Sequence, residues 1–296
     1  MSRERVLRAM AAEGVDVLLL GREGNARYVS GAHRLFLAGE RAFAPGCVVV
    51  RETGAVHLLS ATDFGVPQEL KHSHLYAPSW NPATLIARVA AIPGVVSAAR
   101  VGVDGLTPLF EALLASSLPR AELVDGESLM RAVRRVKSPE EVALIRAAAA
   151  VADATMAAAL DAVANGEPDA TVRAVAMEAM ADQGVTTAAF EPRVSRDGQR
   201  VAVAVGVLRD GWEADIARTV PGPARPEALD VAMHRCRPGA KVADLAGTGA
   251  HGVGLGYEVL VPPDVLEAGM VLSIGLEGAR DTVLVTDRGH EVLTGS

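Results

Sequence analysis

The sequence predicts an α/β layer over residues 1–132, followed by an α+β domain over residues 133–296. Three observations carry this. Helical stripes alternate with short apolar runs through the first part of the chain. A strongly capped, alanine-rich helix pair begins at Ser138. Val201–Val220 then reads as two strands about a tight bend. A chain of 296 residues is long enough for two domains, each with its own core.

Taken in order, Arg3–Glu13 places Val6, Leu7, Met10 and Ala11 on one helical stripe. Val15–Leu20, bounded by Gly14 and Gly21, is a continuous apolar run suited to a buried strand. Cys47–Val50 and Ala55–Ser60 form a hairpin about Glu52-Thr53-Gly54, Ala83–Ile92 is helical, Arg100–Asp104 is a strand, and Leu109–Leu118 is a helix after Thr107-Pro108. Met130–Lys137, RAVRRVK in its latter part, reads as a basic linker. His33, His72 and His74 read as surface features rather than a ligand set.

Ser138 is a good N-cap, with Pro139 at the first helical position and Glu141 completing a capping box. That helix runs through Ala164 to Asn165-Gly166, and a second spans Ala170–Gln183. Their alanines allow close packing on a sheet. In the hairpin, Val201, Val203, Val205 and Val207 put one branched face toward a core, and Asp210-Gly211 supplies the turn. The return strand from Trp212 carries Glu213, Asp215 and Arg218, an unusual polarity beside so apolar a partner, so a polar site is expected on it. Glu227–Cys236 reads as a short helix.

Composition narrows the function classes. A net charge of -7 argues against nucleic acid or an anionic membrane as partner. Cys47 and Cys236 are too few for a disulfide framework and have no metal-type spacing, which points to a reducing compartment, with the cytoplasm as default. The start has no signal-peptide core, and no run approaches the ~20 apolar residues of a membrane span.

Several segments resemble one family. Gly211-Trp212 with Asp215-Ile216-Ala217-Arg218-Thr219 looks like the G-[YF]-x-x-D-x-T-R-T strand of the pita-bread metallopeptidases, which include aminopeptidase P, prolidase, methionine aminopeptidase and creatinase. Ala250–Leu255 resembles its G-H-G-[IV]-G-L stretch, Leu266–Ile274 its L-x-P-G-M-V-x-x-I strand, and Asp281–Thr294 its E-D-T-V-L-V-T segment. Asn25–Gly31 is similar to the N-[IV]-x-Y-[LV]-[ST]-G signature of the amino-terminal domain, and Lys137–Arg146 to the opening of the carboxy-terminal one. The resemblance implies a creatinase-type amino-terminal α/β domain followed by a shortened α+β pita-bread domain.

The family holds two metal ions with Asp, Asp, His, Glu and Glu. By that resemblance Asp215 and His251 keep the second and third places, while the others fall on Ala204, Gly275 and Arg280. One carboxylate and one imidazole cannot offset the repulsion of two divalent cations. Arg280 adds a permanent positive charge, read here as neutralising Asp215. The expectation is therefore no metal cofactor, with a single weak site on Asp215, His251 and Glu258 or Glu277 kept open. The His on which metal-free creatinase relies is missing as well, since no histidine lies between His74 and His234.

The candidate catalytic set is His251 as general base oriented by Asp215, with Glu258 beside them. Arg218 and Arg280 are candidate clamps for a substrate carboxylate or phosphate, with Trp212 and Glu277 also in the substrate-binding set. Three readings follow: a metal-independent enzyme acting on a small amino-acid-like substrate, a pseudoenzyme binding a small-molecule or peptide-like ligand or a protein partner, and a metallo-aminopeptidase or prolidase with relocated ligands. Homodimerisation is implied by the resemblance alone.

Overall fold

The computed structural model describes residues 2–33, 45–105, 107–261 and 264–295. They form two compact units, Met1–Val133 and Arg134–Ser296.

In the first unit, α1 (Ser2–Ala12), β1 (Val17–Leu20), α2 (Glu23–Ser30), β2 (Cys47–Val50), β3 (Ala55–Leu59), β4 (Leu75–Tyr76), α3 (Pro82–Ala90), β5 (Arg100–Val103), α4 (Pro108–Ser117), β6 (Glu122–Asp125) and most of α5 (Gly126–Arg135) follow in order. The six strands make one sheet ordered β4-β3-β2-β1-β5-β6. β1 runs parallel to β5 and antiparallel to β2, and all four of its residues are buried, as its continuous apolar run requires. The Asn25 signature has a structural use here. Asn25 Nδ2 donates to Asp104 at 2.9 Å and to Glu127 at 2.7 Å, and the amides of Gly21 and Arg22 also donate to Asp104. These bonds join the ends of β1 and β5 to the start of α5. Burial nevertheless pushes the Asp104 pKa up, against the pull of its donors.

The basic linker expected at Met130–Lys137 is mostly the end of α5. Leu129, Met130 and Val133 form its buried stripe, and Arg134 and Arg135 sit in its last turn, where the helix dipole favours cations. His72 is exposed beside Asp63, whereas His74 lies tilted against the buried His57, ring centroids 4.5 Å apart.

The second unit opens with α6 (Pro139–Ala164), whose Ser138–Glu141 capping box forms as expected, then α7 (Asp169–Asp182). β7 (Ala188–Asp197), β8 (Arg200–Arg209), β9 (Trp212–Val220), α8 (Glu227–Met233), β10 (His251–Gly254), β11 (Gly256–Glu258), β12 (Val271–Leu276), β13 (Ala279–Thr286) and β14 (Gly289–Val292) complete it. Seven strands run in the order β11-β10-β12-β13-β9-β8-β7, with β14 on β13.

The β8–β9 turn puts Asp210 at φ 49° and Gly211 at φ 80°, the two left-handed positions of a type I′ hairpin. β7 covers a stretch to which the sequence assigned no element. It is an edge strand, which tolerates Pro192, and its pairing with β8 slips twice between Ala188 and Arg193, so it carries no clean alternation.

Period-2 alternation then sorts the sheet into two faces. Val201, Val203, Val205, Val207, Ala214 and Ile216 pack with Ile145, Ala152, Met156 and Met180 of α6 and α7. Leu272, Ile274, Val283 and Val285 pack with Leu229 and Met233 of α8. The intervening residues share the opposite face, which leaves Glu213, Asp215, Ser273, Gly275, Arg280 and Thr282 on one side. Among the described residues, α6 is the one helix long and apolar enough to cross a membrane by length and composition. Its Ile145, Ala148, Ala152 and Met156 are spent on this core.

Candidate functional site

Cross-strand register brings the site together. Ala217 of β9 pairs with Arg280 of β13, Arg280 with Gly275 of β12, Thr282 with Ser273, and Ser273 with His251 of β10. Gly256 N donates to Gly211 O at 3.0 Å and Leu255 bridges Trp212, so the sheet curls until β10 and β11 meet the start of β9. Glu213, Asp215 and His251 thereby come to one concavity.

Asp215 is 1% exposed. Ser273 Oγ donates to its Oδ2 at 2.8 Å, and Thr282 Oγ1 lies 3.0 Å from its amide nitrogen and 3.3 Å from Oδ1. Arg280 Nη1 donates to Ser273 Oγ at 2.6 Å and stands 3.6 Å from Asp215 Oδ2. The guanidinium is therefore the counter-charge of Asp215, and Ser273 bridges the two by hydrogen bonds. It also lies across Gly275: a Cβ there would come within 2.8–2.9 Å of Nη2, Cζ and Nε. Glycine at 275 thus leaves the space that the Arg280 side chain occupies.

His251 is not oriented by Asp215. The carboxylate nearest its Nε2 is Glu213 Oε1 at 3.8 Å, beyond hydrogen-bond reach, and Nε2 is buried without a partner. Tyr257, itself 63% exposed, stacks on the imidazole with centroids 4.7 Å apart.

Four other expected site residues go elsewhere. Arg218 and Arg280 do not form one clamp. Arg218 donates to Asp281 Oδ1 at 2.7 Å, and Asp281 and Arg280, being consecutive in a strand, point to opposite faces. Arg225 Nε and Thr294 Oγ1 complete the cradle of Asp281, each at 2.9 Å. Glu258 turns away from the concavity. It accepts from Lys137 Nζ at 2.6 Å and from Arg134 Nη2 at 3.1 Å. Gly254 makes room for it, since a Cβ there would overlap Glu258 Oε1. Lys137 is almost wholly buried, and desolvation pulls its ammonium pKa down although Glu258 works against this. Breaking so buried a pair would cost about 3–5 kcal/mol. Glu277 is exposed at the β12–β13 turn with φ 53°, off the strand face that would have let it replace a ligand at 275. Trp212 packs against the core shared by α6, β8 and β9.

Ser273, Thr282 and Lys137 had no distinguishing signal in the sequence. Glu213 had one, because it lies two residues from Asp215 on a strand and so shares its face. Among the described residues no three His, Cys, Asp or Glu side chains converge as a metal-holding group.

Comparison with known proteins places this geometry. Residues 3–136 match the family model for the Creatinase/Prolidase N-terminal domain. The chain is 28% identical over 181 residues to the creatinase of Bacillus sp. (strain B-0618), a match covering 60% of this chain and 43% of that protein. It is 22% identical to the Xaa-Pro dipeptidase of Pyrococcus horikoshii over a 352-residue alignment covering 98% of this chain and 96% of that one. Among solved structures, the prolidase from Pyrococcus furiosus superposes with a TM-score of 0.75 at 19% identity, covering 99% of both chains. At that identity the likeness speaks for the fold. Residues 3–136 thus match the Creatinase/Prolidase N-terminal domain, and the whole chain shares the fold of the prolidases.

Proposed function

We propose that the chain is a non-hydrolytic relative of the Xaa-Pro peptidases, binding a small or peptide-like ligand at the curled sheet face without a dimetal centre. The observation that carries this is the Arg280 guanidinium lying across Gly275 and bonded through Ser273 to Asp215. Two divalent cations need several anionic oxygens between them. At the family's five positions this chain offers one carboxylate and one imidazole, and sets a permanent cation where an oxygen ligand would be. Asp215 already has Arg280 as its counter-ion and Ser273 as a donor, and a metal would compete with both. His251 lacks an orienting carboxylate within hydrogen-bond reach, which weakens the reading of the site as a metal-independent acid–base enzyme. The expected setting is cytoplasmic, as a homodimer, with neither nucleic acid nor membrane as partner.

A second reading, an Xaa-Pro dipeptidase with relocated ligands, is favoured by the match to the Pyrococcus horikoshii dipeptidase along nearly the full length of both chains. Hydrolysis of Xaa-Pro dipeptides separates the two. The protein, supplied in turn with manganese, cobalt and zinc, is compared with the same preparation in chelator. The proposal expects no turnover above buffer in any arm, and metal-dependent release of proline would transfer the chain to the second reading.

A further inference from the structure

Glu213 and His251 are the one part of the concavity that the neutralised Asp215 does not account for. Glu213 is 4% exposed, and among the described residues its side chain meets one ionisable partner, His251, at 3.8 Å. His251 Nε2 is buried and makes no hydrogen bond. Burying an imidazole nitrogen without a hydrogen bond, next to a carboxylate it does not reach, is costly. On the same sheet face Asp215 and Arg280 are paired with each other and share Ser273. Lys137 and Arg134 are committed to Glu258.

A separation of 3.8 Å is too long for a direct hydrogen bond but suits one shared donor. An atom about 2.8–2.9 Å from both Glu213 Oε1 and His251 Nε2 closes a reasonable triangle, provided it carries at least two hydrogens. A positive charge on it would balance Glu213. A primary ammonium meets both conditions, and the exposed ring of Tyr257 beside His251 adds an aromatic wall of the kind cations favour.

Resting on the metal-free reading above, we propose that the Glu213–His251 pair is a receptor for the primary ammonium group of a small ligand. Binding is non-covalent, with the ammonium donating one hydrogen to the carboxylate and one to neutral Nε2. The ligand class is thereby narrowed to small molecules presenting an unsubstituted amine.

The test titrates full-length protein, labelled with nitrogen-15 in its histidine rings, with glycinamide and with N-acetylglycinamide, which keeps the amide and lacks the ammonium. Glycinamide is expected to shift the His251 ring signals saturably and N-acetylglycinamide to leave them unmoved. Glu213→Gln, close to Glu213 in volume, is expected to weaken glycinamide binding at least tenfold. Equal responses to the two probes, no response to either, or undiminished binding in a folded Glu213→Gln protein would each overturn the assignment. The probe comparison needs no variant, so it stands if Glu213→Gln fails to fold. Adding manganese alone to the same sample separates the two levels of the argument. A saturable manganese effect on His251 would sink the metal-free reading, whereas a failed glycinamide arm without one sinks the amine receptor only.

Discussion

Replacing Arg280 by methionine keeps a long side chain over Gly275 and removes its charge. The change strips Ser273 Oγ of the guanidinium donor at 2.6 Å and Asp215 Oδ2 of a cation at 3.6 Å. At an effective dielectric constant of about 20, two unit charges at 3.6 Å interact by about 4.6 kcal/mol. The Arg280 side chain is 24% exposed, and Asp215 keeps the hydroxyls of Ser273 and Thr282 in the variant. Screening and those two bonds bring the expected loss to about 2–3 kcal/mol. Asp215→Asn removes the need for the cation, so Arg280→Met in that background should cost less than about 1 kcal/mol. The measurement is a double-mutant cycle by urea unfolding. It is best done in a Trp80→Phe background, where Trp212 is the one tryptophan left and reports the carboxy-terminal unit. A coupling near 2 kcal/mol supports the serine-bridged pair. Arg280→Met costing the same with and without the Asp215 charge would refute it.

Gly275→Ala should destabilise the same unit by about 1–2 kcal/mol, because the new Cβ falls within 2.8–2.9 Å of the guanidinium and forces it off Ser273. In an Arg280→Ala background the space is free, so urea midpoints should show that penalty shrinking toward zero; an unchanged penalty would place the clash elsewhere. In the amino-terminal unit, burial, helped by the charge of His74, lowers the His57 pKa to about 4. The unfolded chain then binds a proton that the native one refuses between about pH 6.5 and 4, so stability is full above that window and is lost as pH falls through it. The loss is of order 3 kcal/mol, about 2.5 pH units at about 1.4 kcal/mol each. His57→Gln should flatten the slope in pH-dependent unfolding followed at Trp80, and a slope identical to wild type would show that another group titrates.

The fold was legible where local chemistry agrees with tertiary demand. Ser138, Pro139 and Glu141 fix the start of α6 by backbone satisfaction alone, and Asp210-Gly211 fixes the β8–β9 turn by dihedral preference. β7 was not legible, because an edge strand containing Pro192 and two register slips shows no period. The end of α5 was misread because its arginines hide a stripe of three buried side chains. At the site, the Asp215–Arg280 relation was visible as charge, but its route through Ser273 was not, since a buried serine in an apolar strand carries no distinguishing pattern. Arg218 and Glu258 were misassigned because their partners Asp281 and Lys137 stand 63 and 121 residues away. No spacing rule reaches that far. Strand alternation could have joined Glu213 to Asp215.

The most direct measurement is the metal content of protein purified without chelator and dialysed against manganese, cobalt and zinc in turn, read by elemental analysis per chain. The structure-based account predicts far less than one equivalent of any of them, because Arg280 fills the ground between Gly275 and Asp215. One or two tightly held equivalents, lost on substitution of Asp215 or His251, would contradict it.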